Sequence, residues 1–162
     1  MFSTVSTTYA IRTELGDFSS IICFKAAVTG IEDALGEKAA KIALMTAGRA
    51  RGKRLASELG LSQSTTDYKK ITQQIQSALG KNGTRLCLVD KIEAVGSQIL
   101  AHCRETICSS GEEPGSPREL SYTLGVMQGV LEEVTGHRLR GHQTDSVLRG
   151  GSHDVVAFEI LA

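Results

Sequence analysis

A chain of 162 residues is about one domain's worth of protein, able to bury about 70% of the surface its unfolded form exposes. Its 18 Lys and Arg balance 18 Asp and Glu, and aromatic residues make up 4% with no Trp. That excludes a domain-wide electrostatic footprint for nucleic acid or anionic lipid, and it leaves a base-stacking platform poorly supplied.

No apolar run is long enough for a membrane span, and the opening MFSTVSTTYAIRTELGD lacks the basic-then-apolar pattern of a secretory leader. A soluble, cytoplasmic protein is therefore expected, with Cys23, Cys87, Cys103 and Cys108 as free thiols. Residues 1–17 read as an irregular or strand-like arm. Beyond them Ile21, Phe24, Val28, Ile31 and Leu35 recur at helical spacing, with Ser19 or Ser20 as cap and Gly36 as terminator. A second amphipathic helix follows over EKAAKIALMTAGRARGKRLASELG, its face carrying Ala39, Ile42, Ala43, Met45, Ala50 and Leu55 and its stop at Gly60. A third places Tyr68, Ile71, Ile75 and Leu79 on one side and ends at Gly80.

After Asn82-Gly83 the period becomes two. Leu86 and Leu88 alternate with Cys87 and Val89 in a strand over TRLCLVD, and SQILAHCRETICSS supplies its partner. Ser109 to Pro117 is rich in turn residues and reads as a solvated loop. Pro117 suits the first turn of a fourth helix capped by Ser116, in which Leu120, Leu124, Met127, Leu131 and Val134 recur up to Gly136. HRLRGHQTDSVLR and DVVAFEILA then form two strands joined around Gly150-Gly151, with Val156, Phe158 and Ile160 on one face. The order ααα-ββ-α-ββ is an α+β fold: one domain over 1–162, a four-stranded antiparallel sheet packed against four helices.

Two helices carry glycine at i and i+4: Gly48 with Gly52, and Gly125 with Gly129. Each costs about 1 kcal/mol of helix stability, so something comes close to those faces. Either a second helix packs backbone to backbone there, or the glycines open a gap between helix and sheet for an apolar ligand. The basic run Arg49, Arg51, Lys53, Arg54 spreads around its helix and reads as a solvated surface. His102 and Cys103 are neighbours in a strand and point to opposite faces, so no activated thiol is expected there or at Cys108. His137, His142 and His153 lie near Asp145 and Asp154, but no pair has the spacing that sets two ligands on one face, so no metal or cofactor is expected.

The segment LGVMQGVLEEVTGHRLRGHQTDSVLRGGSHDVVAFEI is similar to the C-terminal half of the 4-vinyl reductase domain family. There a Gly-x-x-x-Gly helix ends in a glycine turn followed by two strands. ALGEKAAKIALMTAGRARGKRLASELG resembles that family's helix with its Gly-Arg-x-x-Gly-x-x-Leu core at Gly48, Arg49, Gly52 and Leu55. The resemblance touches about two thirds of the chain. It implies kinship in fold with subunits of the transport protein particle. It further implies a homodimeric, non-enzymatic domain for a small hydrophobic molecule, lipid-like or tetrapyrrole-like, of a stand-alone cyanobacterial kind serving pigment or photosystem assembly. Many relatives carry metal ligands where this chain has Gln143, Ser146 and Asp154, so no structural zinc is expected. Joined to the glycine pairs, the resemblance implies a pocket lined by Phe24, Val28, Met45, Gly48, Gly52, Leu124, Met127, Gly129 and Phe158. The alternative is a scaffold with a filled core and a protein interface.

Overall fold

The computed structural model describes residues 12–17, 19–62 and 66–162; the arm expected over 1–17 lies mostly outside them. Helix α1 spans Ile21–Leu35 and is capped by Ser20, whose Oγ accepts from the N–H of Ile22. Gly36 alone joins it to α2, Glu37–Glu58, at a φ of 81° that a side-chain-bearing residue rarely adopts. Helix α3, Tyr68–Leu79, starts at Asp67, which accepts from Lys70 N–H. Strands β1 (Leu88–Val95) and β2 (Gln98–Arg104) form a hairpin about Gly96-Ser97. Helix α4 (Tyr122–Thr135) follows, then β3 (Leu139–Asp145) and β4 (Asp154–Ile160). The sheet order is β1-β2-β4-β3, antiparallel throughout, so the α+β arrangement is as expected.

Several expected boundaries move: β2 ends at Arg104 rather than Ser110, and β3 covers Leu139–Asp145 rather than His137–Arg149, with a 3-10 turn at Val147–Arg149. β1 begins at Leu88 rather than Thr84 because Thr84 and Leu86 spend their N–H groups on Ala78 O and Leu79 O at the end of α3. Pro117 precedes α4 by five residues: the helix begins at Tyr122, and Ser116 Oγ accepts from Arg118 N–H in the loop instead. Ile160 is 52% exposed while Val156 and Phe158 are fully buried, because the last strand runs past the edge of the helical layer.

Helix α4 is buried along most of its length, with α2 against one side and β3 against the other. Helix α3 covers β1, and two of its side chains accept from that strand's outward amides: Gln76 Oε1 from Val89 N–H at 2.8 Å and Thr72 Oγ1 from Ile92 N–H at 3.0 Å. A register shift between Val89 and Lys91 turns both amides the same way. Among the described residues no helix is long and apolar enough to cross a membrane.

Candidate functional site

The paired glycines sit where α2 crosses α4. A Cβ on Gly48 would overlap the carbonyl oxygen of Tyr122, one on Gly52 that of Val126, one on Gly125 that of Met45, and one on Gly129 that of Arg49. Each pair is thus filled by the main chain of the other helix, and the packing reading holds over the gap. The expectation of an apolar hollow beneath the glycines is corrected accordingly. Val28, Met127 and Phe158 are fully buried and Leu124 nearly so, Met45 packs against that core, and Gly48, Gly52 and Gly129 are occupied by backbone.

Close approach lets the seam carry a polar lock. Glu132 of α4, nearly buried, accepts from Arg49 Nε at 2.7 Å and from the N–H of Leu139 at 3.0 Å, with Lys53 Nζ at 3.5 Å. Burial works to raise the Glu132 carboxyl, but the hydrogen bonds from Arg49, Leu139 and Gln128 outweigh it and hold the group below its ordinary value. Two members of the basic run are thereby tied to one carboxylate, and Arg51 pairs with Glu58 at 3.3 Å.

Of the expected pocket residues, Phe24 does line a cleft. It opens between the start of α1, the end of α3 and the start of α4, with a volume of about 470 Å³. Its walls include Ile21, Phe24, Leu79, Leu86 and Tyr122, and Arg51 stands on its rim side. The rings of Phe24 and Tyr122 meet edge to face, centroids 5.0 Å apart at 85°, which leaves a ring face and a phenol to receive a guest. Burial pushes the Tyr122 phenol up, against the opposing pull of Arg51, so it serves as a neutral hydrogen-bond donor near neutral pH. Leu79, Leu86, Arg51 and Tyr122 escape a reading by periodicity, because four separate segments bring them together. The one local signal is a tyrosine placed at a helix start.

A second cleft of about 470 Å³ is bounded by Glu32, Glu37, Lys38, Lys41, Arg118 and Glu119. Its charges are largely spent on one another: Arg118 bridges Glu32 and Glu112, Glu112 meets Lys25 at 3.3 Å, and Lys41 meets Glu119. This network ties α1 to the 109–121 loop.

The nucleophile and base types lie apart, as expected. His102 stands on the sheet face away from the core, with Nε2 3.0 Å from Glu93, while Cys103 is fully buried. The Cys103 thiol is pushed well up, first by its hydrogen bond with Cys87 and then by burial, which disarms it as a nucleophile. Gln143, Ser146 and Asp154, where the resemblance sets a metal site in other proteins, are engaged in local bonds. Gln143 Oε1 accepts from Leu120 N–H at 2.7 Å, and Ser146 Oγ accepts from Leu148 N–H at 3.1 Å. The buried Asp154 accepts from Thr106 at 2.8 Å, Ser109 at 2.7 Å and Val147 N–H at 3.0 Å.

No family model matches the chain, and no curated protein matches it by sequence. Solved structures do match in fold. The phenol-responsive sensory domain of the transcription activator PoxR, solved with phenol, superposes with a TM-score of 0.68 at 12% identity, over 88% of this chain and 75% of that one. Trafficking protein particle complex subunit 3 from Naegleria fowleri, covalently bound to palmitic acid, matches with a TM-score of 0.58 at 17% identity, over 88% of this chain and 93% of that one. At such identities the likeness is one of fold.

Proposed function

We propose that the protein is a non-enzymatic binding domain for a small apolar molecule, held in the cleft between Phe24, Tyr122, Leu79 and Leu86. The observation that carries the reading is the cleft itself: about 470 Å³ lies within the range of small-molecule sites, and its wall sets apolar Phe24, Leu79 and Leu86 beside polar groups that include Asp17, Arg51 and Arg85. Neighbours in fold that hold phenol and palmitic acid support the same class of guest. The volume suits a single ring or a short acyl chain. A part in pigment or photosystem assembly has no residue in the cleft behind it.

The test is calorimetric titration of protein freed of co-purified molecules by unfolding and refolding, with phenol and with octanoate as probes. One saturable site per chain is expected for at least one probe, weakened about tenfold by Phe24→Ala, which removes the edge-to-face wall. No heat with either probe, or binding that Phe24→Ala and Tyr122→Ala both leave unchanged, would overturn it.

A further inference from the structure

The cleft between α1, α3 and α4 is not uniform along its wall. Leu79 is 1% exposed, Phe24, Leu86 and Tyr122 are half-buried, as is Arg51, and Arg85 is exposed. An apolar interior therefore gives way to two guanidinium groups toward solvent. A guest that is apolar throughout answers only the first part of such a wall, and it takes water from the cations without replacing it.

Arg85 joins the wall at a cost to the backbone. It lies in the linker after α3 with a φ of 57°, a conformation that glycine or asparagine adopts readily and a longer side chain rarely does. Its Nε donates to Lys81 O at 3.1 Å, which fixes the base of the guanidinium. Strain of this kind persists where the surroundings hold it, and it collects at ligand sites. Arg51 comes from α2. Its partner Glu58 stands 3.3 Å away, and the two side chains are 31% and 53% exposed, so the pair is weak and gives way to a better-matched acceptor. Arg51 also pulls on the Tyr122 phenol against the effect of burial, which puts cation and hydroxyl within electrostatic reach of each other.

We infer that the guest of this cleft is an amphipathic monoanion, a medium-chain or aromatic carboxylic acid. Arg51 and Arg85 hold its carboxylate, the Tyr122 hydroxyl is a further donor, and its apolar end lies against Leu79 and Phe24. The inference rests on the cleft being the binding site and narrows its guests from apolar molecules at large to acids. Against the two arginines, the described lining residues set one acid, the exposed Asp17. One net positive charge is left to be answered. A carboxylate answers it with a single charge, and its two oxygens match the flat fork of a guanidinium. A phosphate monoester brings about −1.5 to −2 near neutral pH and overshoots.

Calorimetric titration with matched pairs separates head from tail: octanoate against octanamide, and benzoate against benzamide, near neutral pH. At least one acid is expected to bind about tenfold tighter than its amide, with a preference that shrinks as added salt screens the charges. This comparison needs no variant. Arg51→Gln and Arg85→Gln should each cut the preference about threefold to tenfold, and Arg51→Lys and Arg85→Lys should restore part of it. An amide that binds as tightly as its acid, while Phe24→Ala weakens both, leaves the cleft as the binding site and overturns the anion. Arginine changes that weaken acid and amide alike, or octyl phosphate binding tighter than octanoate, overturn it as well. If neither acid nor amide binds, the cleft reading falls and takes this inference with it.

Discussion

Replacing Gly52 by alanine separates the seam from an ordinary helix surface by the sign of the effect. In an exposed helix the change gains about 1 kcal/mol, since alanine is the better helix former. At Gly52 the new methyl overlaps the carbonyl oxygen of Val126, and the next nearest atoms are that carbonyl's carbon and the amide nitrogen of Val130, each at 2.9 Å. All belong to the main chain of α4, which cannot rotate aside as a side chain would, so α2 and α4 must part. Overpacking of this kind costs about 1–3 kcal/mol. Parting also strains the bond from Arg49 to Glu132 and loosens the packing of Val126 and Val130. Set against the helix gain, and with the strained bond to Glu132 added, the expected net loss is about 1–2 kcal/mol, or about 2–8 °C in Tm at this chain length. Urea unfolding followed by circular dichroism reads it. Gly30 in α1 is the control, since nothing lies within 4 Å of its Cβ position. Gly30→Ala should gain up to about 1 kcal/mol. A Gly52→Ala protein as stable as the parent, or more so, would refute the backbone seam.

Further expectations concern the polar locks and the thiols. Glu132→Gln should cost about 1–2 kcal/mol near neutral pH, because the hydrogen bond from Arg49 loses its charge. The Glu132 carboxyl is held below its ordinary value of 4.5, so its contribution is present above that value and is lost as pH falls through the lower folded one. The stability gap between parent and Glu132→Gln should therefore narrow as the pH falls below that ordinary value; a gap that widens on acidification would contradict the assignment. Asp154→Ala removes the acceptor shared by Thr106, Ser109 and Val147 and should cost about 2–4 kcal/mol, visible as a lower urea midpoint. Iodoacetamide near neutral pH should label Cys23 alone in the folded protein and all four thiols in urea; mass spectrometry would show otherwise if Cys103 were open. Elemental analysis after dialysis should find no stoichiometric zinc, given the bonds that occupy Gln143, Ser146 and Asp154.

Helices are the most readable part of the chain, because each carries its own period and its own stop: Gly80 after α3 and Gly136 after α4 stand where expected. The first strand was misplaced for a physical reason. Leu86 and Cys87 alternate as a strand does, yet they pack as a linker folded back on α3, while the true β1 reads as polar because one of its faces is open to solvent. The glycine pairs were visible, but what fills them was not. Each pair is answered by the other more than seventy positions away, and no local pattern encodes that match. The same limit hid the cleft: Phe24 was singled out, whereas Leu79, Leu86 and Tyr122 become its neighbours only when α1, α3 and α4 are docked.

The hydrogen bonds that Gln76 and Thr72 accept from β1 reach past helix–sheet packing. An outermost strand normally presents unspent amides, a template on which a foreign strand can grow. Here two of those donors are consumed from within the molecule, and at the opposite margin β3 is kinked between Gln143 and Asp145. Fibre-like growth by strand addition is thus discouraged at both borders of the sheet by geometry, in a chain whose balanced charges supply no net electrostatic repulsion against it.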